Sequence, residues 1–162
     1  MADSSRHSLF VSPETVYGVT DANPSLQELR HTGTTLALSK TNSVSEELRK
    51  DRQISDSTHG VRQVGGDIVT ELSFGTYDTL LEAVMMGTWV DDSPAVGQKR
   101  LKAGVVRRSF SFLRYFEDLL VADNPFHRYT GVEINNLQVN LTPDARGTAT
   151  FTTVGRNLET PE

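Results

Sequence analysis

Apolar positions in this chain alternate with polar ones over most of its length, and the period becomes helical in one place. From Leu29, residues 30–39 are rich in β-branched side chains and set Leu36 and Leu38 on one face, as a half-buried strand does. After Gly65 and Gly66, the residues Ile68, Leu72 and Phe74 alternate with Val69, Glu71 and Ser73, which predicts a strand with one apolar face. Tyr77, Leu80, Leu81, Val84 and Met85 then recur at i, i+3, i+4, i+7 and i+8, the stripe of an amphipathic helix. Thr76 is placed to cap its start and Gly87 its end. Residues 105–116 read as another strand, with Val106, Phe110, Phe112 and Phe116 in one register and Ser109 and Ser111 in the other. The sets Val132, Ile134 and Leu137, Val139, Leu141 each alternate but are one residue out of phase, so a bulge or bend is expected at Asn135-Asn136. A last strand spans 148–154, with Ala149, Phe151 and Thr153 on one side. The whole pattern predicts a mainly β protein, an antiparallel β-sandwich or open barrel with one packed α-helix.

Three stretches stand apart. Residues 1–26 carry Pro13, Gly18, Asn23 and Pro24 with little apolar period, and read as an extended N-terminal arm that orders on assembly. Residues 27–162 form the single domain. Within it, residues 41–66 are an excursion, polar and charged for longer than a compact domain needs. Glu46, Glu47, Leu48, Arg49 and Lys50 would allow a short helix there, but its apolar face is too thin to dock. An extended excursion or long hairpin, ordered by a neighbouring copy, is the preferred reading. Residues 89–102, with Asp91, Asp92, Pro94 and Gly97, read as a surface loop, and residues 60–66 as turn chemistry.

Composition narrows the function. With 162 residues the chain fits one domain, and with no cysteine it offers no disulfide, thiolate metal site or cysteine nucleophile. Residues 1–10 mix Asp3, Arg6 and His7 with serines, unlike a secretory signal, and no apolar run approaches membrane length, so no membrane insertion is expected. The balance of 21 acidic to 16 basic residues, a net charge of -5, weighs against a protein that grips phosphates. Asp51, Asp56 and His59 match no calcium or zinc spacing, and Asp91 and Asp92 are adjacent, hence back to back in a strand. His7, His31, His59 and His127 are scattered, without a G-x-S-x-G elbow, and 60–66 lacks the phosphate-loop pattern. Arg107 and Arg108 beside Phe110, Phe112 and Tyr115 resemble a single-strand-binding platform, but alternating burial accounts for the phenylalanines. No catalytic residue, metal or cofactor is expected, and the chain does not read as an enzyme.

Several segments resemble, in order and spacing, the tail tube proteins of long-tailed bacteriophages of siphophage type. They are Glu47-Leu48-Arg49-Lys50-Asp51-Arg52-Gln53, Gly66-Asp67-Ile68, residues 71–81, Leu101-Lys102-Ala103-Gly104, Arg108-Ser109-Phe110-Ser111, and Thr130-Gly131 through Asn135, Leu137, Val139 and Pro143. Leu113 and Tyr129 depart from the acidic residue and the phenylalanine usual at those places. The resemblance implies a structural virion protein whose hexameric rings stack into the tail tube, assembled in the host cytoplasm. It implies tail terminator, tape measure and distal tail proteins as partners, and transient passage of DNA without specific binding. Glu46, Arg49, Asp51, Arg52, Asp56, His59 and Arg62 are then the candidate subunit interface, as intersubunit charge pairs. A related ring-former, either a terminator or the tube of a contractile device, and a monomeric β-sandwich binding module are the alternatives.

Overall fold

In the computed structural model, residues 6–45, 57–91 and 97–161 are described. In chain order the strands are β1 (His7–Pro13), β2 (Gln27–Glu28), β3 (Gly33–Thr34), β4 (Ala37–Val44) and β5 (Ser57–Glu71), followed by helix α1 (Asp78–Met85). Then come β6 (Val90–Asp91), β7 (Lys99–Arg100), β8 (Phe110–Phe116), β9 (Phe126–Asn140), β10 (Thr148–Gly155) and β11 (Asn157–Glu159). One nine-stranded antiparallel sheet runs β2-β1-β8-β9-β10-β5-β3, with β4 also on β5 and β11 also on β9, while β6 and β7 pair separately. The sheet curls into a half-barrel, and α1 packs against β9 on its apolar side.

Strand β9 organises this curl. Its first half pairs with β8 and β11 and its second half with β10. Between them Gly131 takes a φ of 64°, and a Cβ there would lie 3.0 Å from Arg156 Cβ and 3.2 Å from the Tyr17 ring, so the bend requires glycine. The expected bulge is present: Thr152 faces Asn136 and Thr153 faces Ile134, which leaves Asn135 as the extra residue and brings the two alternating sets onto one face. The core beneath joins Leu9, Val11, Val64, Ile68, Tyr77, Leu80, Phe110, Phe112, Val132 and Phe151 in a single cluster.

The helix lies where the period placed it, but its ends differ. Tyr77, not Thr76, occupies the N-cap position without a side-chain cap bond, and the Thr76 hydroxyl instead accepts from Ser73 at 2.7 Å. At the other end Met86, not Gly87, is left-handed, with φ 49°, and the N–H groups of Met86 and Gly87 close onto the Ala83 and Glu82 carbonyls. Tyr77 and Leu80 are buried, and Leu81 and Val84 pack at the core's margin. Met85 is exposed, and Ala83 takes the buried place.

Several other expectations are corrected. Residues 7–13 are not a loose arm: β1 pairs with β8 from His7↔Phe116 to Pro13↔Phe110, and buries Leu9 and Val11. Its apolar run, Leu9-Phe10-Val11, is too short and too closely followed by Pro13 to show a period. The glycines of 60–66 lie inside β5. Gly66 is needed there because a Cβ would fall 2.5 Å from the Thr35 carbonyl oxygen of the crossing chain. The strand expected through Phe74 stops at Glu71, where the Tyr77 hydroxyl captures the Glu71 carbonyl and turns the chain into the helix. The strand expected from 105 begins only at Phe110, because Val106 N–H bonds to the Met86 carbonyl past the helix end. Part of the expected 89–102 loop is the short ribbon β6–β7.

Candidate assembly surface

The excursion begins as a hairpin. Strands β4 and β5 pair from Ala37↔Gly65 to Val44↔Ser57, with a bulge that sets Gly60 and Val61 against Thr41. Residues 40–44 and 58–63 are exposed throughout, so both faces of the ribbon lack cover among the described residues. A two-stranded ribbon is marginal in water, and β4 leaves a row of edge N–H and C=O groups unpaired by any described strand. Of the expected interface residues, the structure places His59 and Arg62 on this ribbon, both exposed, with Arg62 donating to Asn157 Oδ1 at 3.5 Å. Glu46, Arg49, Asp51, Arg52 and Asp56 lie outside the described residues.

Sequence pattern alone missed a second surface. Phe74 is fully exposed in the turn between β5 and α1, and two residues before it the exposed Leu72 shares the neighbourhood of Gly147 with the exposed Leu141. Leu120 and Val121, at 74% and 70% exposure, project from the connection that opens β9, whereas Leu141 follows the end of that strand. Large apolar side chains held in water at both ends of one strand are candidate contact sites rather than core. Gly75, directly after Phe74, is the turn signal in the sequence, and the Ser73–Thr76 hydrogen bond is the contact that realises the turn.

A third feature holds the β1–β2 connection against the sheet. The Glu14 carboxylate accepts four hydrogen bonds, from Gly18 N–H and Gly131 N–H at 2.8 Å and from the Ser109 and Ser111 hydroxyls at 2.7 Å. This pins the turn bridged by Val16 and Val19 over the Gly131 bend, presenting Val16, Tyr17 and Val19 to solvent. An open cleft of about 600 Å3 lies alongside, walled by Pro13, Tyr17 and the Arg107–Glu133 ion pair at 2.8 Å. The hydrogen bond from Arg107 to Glu133 raises the guanidinium pKa above its ordinary value. Glu14 and Ser109 also wall the cleft, but the carboxylate that accepts from the Ser109 hydroxyl is held by the four donors that pin the turn, so the pair serves the fold and the cleft offers recognition.

The fold gathers three of the chain's 4 histidines, which are far apart in sequence. His7 and His31 approach Nε2 to Nε2 at 2.8 Å, and His31 Nδ1 lies 3.1 Å from the Leu29 carbonyl. That carbonyl assigns the His31 proton to Nδ1, so Nε2 of His31 accepts from His7. Phe116 separates this pair from His127, which meets its ring edge-on at 5.1 Å, and Arg114 lies 4.6 Å over the same ring. Among the described residues no group of three histidines or acids could hold a metal ion.

Burial first, and then the Arg114 charge, hold the His127 pKa below its ordinary value. The folded chain therefore binds fewer protons there than the unfolded chain. Stability from this group is whole above about pH 6.5 and falls as the pH drops below it. Thermal unfolding from pH 7.5 to 5 should show a falling Tm that flattens in His127→Gln. An unchanged slope in the variant would remove His127 as the cause.

An open sheet edge, a ribbon bare on both faces and apolar side chains in water together describe a self-associating structural subunit. The chain belongs to the phage tail tube protein family, whose model matches residues 4–161. It is therefore a tube-forming structural protein and virion component, not an enzyme. The tail tube family, without its siphophage type, is what the match shares with the resemblance in the sequence motifs.

Solved structures agree in fold. The tail of an empty GTA particle, from helical refinement with C6 symmetry, matches with a TM-score of 0.59 at 8% identity over 95% of this chain and 96% of that one. The sheath–tube complex of an extracellular contractile injection system, PVC, in its extended state matches with a TM-score of 0.55 at 8% identity, covering 98% and 90%. A chain of the six-fold symmetrised anti-feeding prophage baseplate gives 0.53 at 12% identity, covering 98% and 94%. No curated protein matches the chain in sequence. No helix among the described residues is long and apolar enough to cross a membrane.

Proposed function

We propose that this chain polymerises as stacked hexameric rings into the tail tube of a siphophage, the conduit for genome ejection into the host. The observation that carries the reading is the β4–β5 ribbon, exposed on both faces, with the outer edge of β4 joined by no other described strand. A neighbouring copy covers those faces and satisfies that edge, and a head-to-tail ring that closes leaves no edge exposed. Six-fold symmetry in the GTA tail and the anti-feeding prophage baseplate supports a ring of six. Residues 46–56, between the paired ends of the ribbon, extend the contact through the charges of Glu46, Arg49, Asp51, Arg52 and Asp56. The chain, β1 included, acts as one tube subunit.

Subunits assemble in the host cytoplasm around a tape measure protein, on a distal tail complex, and a terminator closes the tube. A separate terminating cap in the anti-feeding prophage, whose chain has a TM-score of 0.56, supports the last element. DNA passes without specific binding, because six copies sum to about -30 and a like-charged channel repels phosphates. Likeness to the contractile sheath–tube complex favours a second reading, the inner tube of a contractile device, distinguished by a sheath around the tube in micrographs of the particle. Sedimentation velocity at rising concentration tests the main reading. The expected species are hexamers and multiples of six, and a monomer that persists at the highest concentration contradicts it.

A further inference from the structure

Beside the ribbon a cleft of about 480 Å3 opens between Val61 and Arg62 of β5 and Arg156 and Asn157 at the β10–β11 break. Val61 is 81% exposed at its rim. Glu159 also lines the cleft, but Arg128 binds its carboxylate through Nε and Nη2. Among the described residues neither Arg62 nor Arg156 has a carboxylate partner, and both side chains are exposed. The cleft thus sets two guanidinium groups beside an apolar residue.

The β8–β9 connection has the inverse composition. Glu117, Asp118 and Asp123 bracket the exposed Leu120 and Val121, and the single turn Val121–Asp123 holds the last of them. Glu117 accepts from the Ser8 hydroxyl at 3.3 Å and meets Arg6 at 3.9 Å, both contacts exposed, which leaves Asp123 as the carboxylate that the test addresses. The connection closes the β8–β9 hairpin, whereas the cleft lies by β11, which pairs with β9 as well, so the two surfaces are separate patches of one subunit. Copies rotated about a common axis can bring the first surface of one onto the second surface of the next.

We propose that the 117–123 connection of one copy seats in the Arg62–Arg156 cleft of its neighbour and sets the register of the ring; this rests on the ring-forming function proposed above. The guanidinium groups bind the carboxylates by charge-assisted hydrogen bonds, which fix orientation, and Leu120 and Val121 cover Val61. Because the two patches differ, the contact is heterologous and propagates until the rotation closes.

Charge reversal tests it. Arg156→Glu and Asp123→Lys, each folded by circular dichroism and with wild-type Tm, should raise the critical concentration for assembly about tenfold or more. Arg62→Glu is the second cleft variant should Arg156→Glu not fold. Mixing the Arg156→Glu and Asp123→Lys proteins in equal amounts should restore assembly, because alternating them in an even-numbered ring places opposite charges at every contact. Wild-type critical concentrations for both single variants, or no recovery on mixing, overturn the contact. Retention of a short DNA duplex that Arg156→Glu abolishes, with assembly unchanged, assigns the cleft to a polyanion and also overturns it. Wild-type protein that associates without rings removes the ring reading alone, since recovery on mixing still establishes the contact.

Discussion

Phe74→Asp is expected to stop tube growth while leaving the subunit folded. Phe74 is fully exposed and contributes nothing to the core cluster, so the isolated subunit should keep its stability to within about 0.5 kcal/mol. The proposed tube contact places a neighbour over this side chain, and burying a phenylalanine stabilises by roughly 2–3 kcal/mol. Aspartate there loses that burial and adds a desolvated charge, so the critical concentration should rise by about a hundredfold or more. Pelleting of polymer from a concentration series measures it. Leu120→Asp, at the far end of β9, should act in the same direction. Wild-type polymer yield in both variants would remove the apolar tips from the assembly surface.

Removing the Glu14 carboxylate should have the largest effect on the subunit itself. Four donors converge on it, two of them backbone N–H groups, at the Gly18 turn and the Gly131 bend. Hydrogen bonds to a charged group contribute about 1.5–3 kcal/mol each in net terms, and an orphaned donor costs more than the bond contributed. Glu14→Ala is therefore expected to cost about 3–5 kcal/mol in urea unfolding. Glu14→Gln keeps an acceptor but turns an NH2 toward donors, and should lose about half as much. Amide exchange should accelerate at Gly18 and Gly131 before the rest of the sheet opens. A loss under about 1 kcal/mol in Glu14→Ala would show that water replaces the carboxylate.

Local period carried much of the fold. The stripe from Tyr77 to Val84 gave α1, and the phase slip around Asn135 gave the bulge, because both are written in residues a few positions apart. Strand β1 was hidden for the opposite reason. Its pairing with β8 joins residues about a hundred positions apart, and seven residues ending in proline show too little alternation to reveal it. Phe74 was misread because alternation continued past Glu71, while the hydroxyl of Tyr77 ended the strand through a contact that no pattern displays. The Glu14 and histidine clusters are likewise products of tertiary approach. Of the assembly surface, the length and charge of the excursion pointed to the ribbon that bears His59 and Arg62. The apolar tips became visible only when burial assigned Phe74, Leu120 and Val121 to water.

Electron microscopy of the purified chain at rising concentration measures the central claim most directly. The expected images are rings that give way to hollow tubes, with six-fold end-on views and a constant bore. A monodisperse monomer at every concentration, with a small ligand held in one of its open clefts, would contradict it.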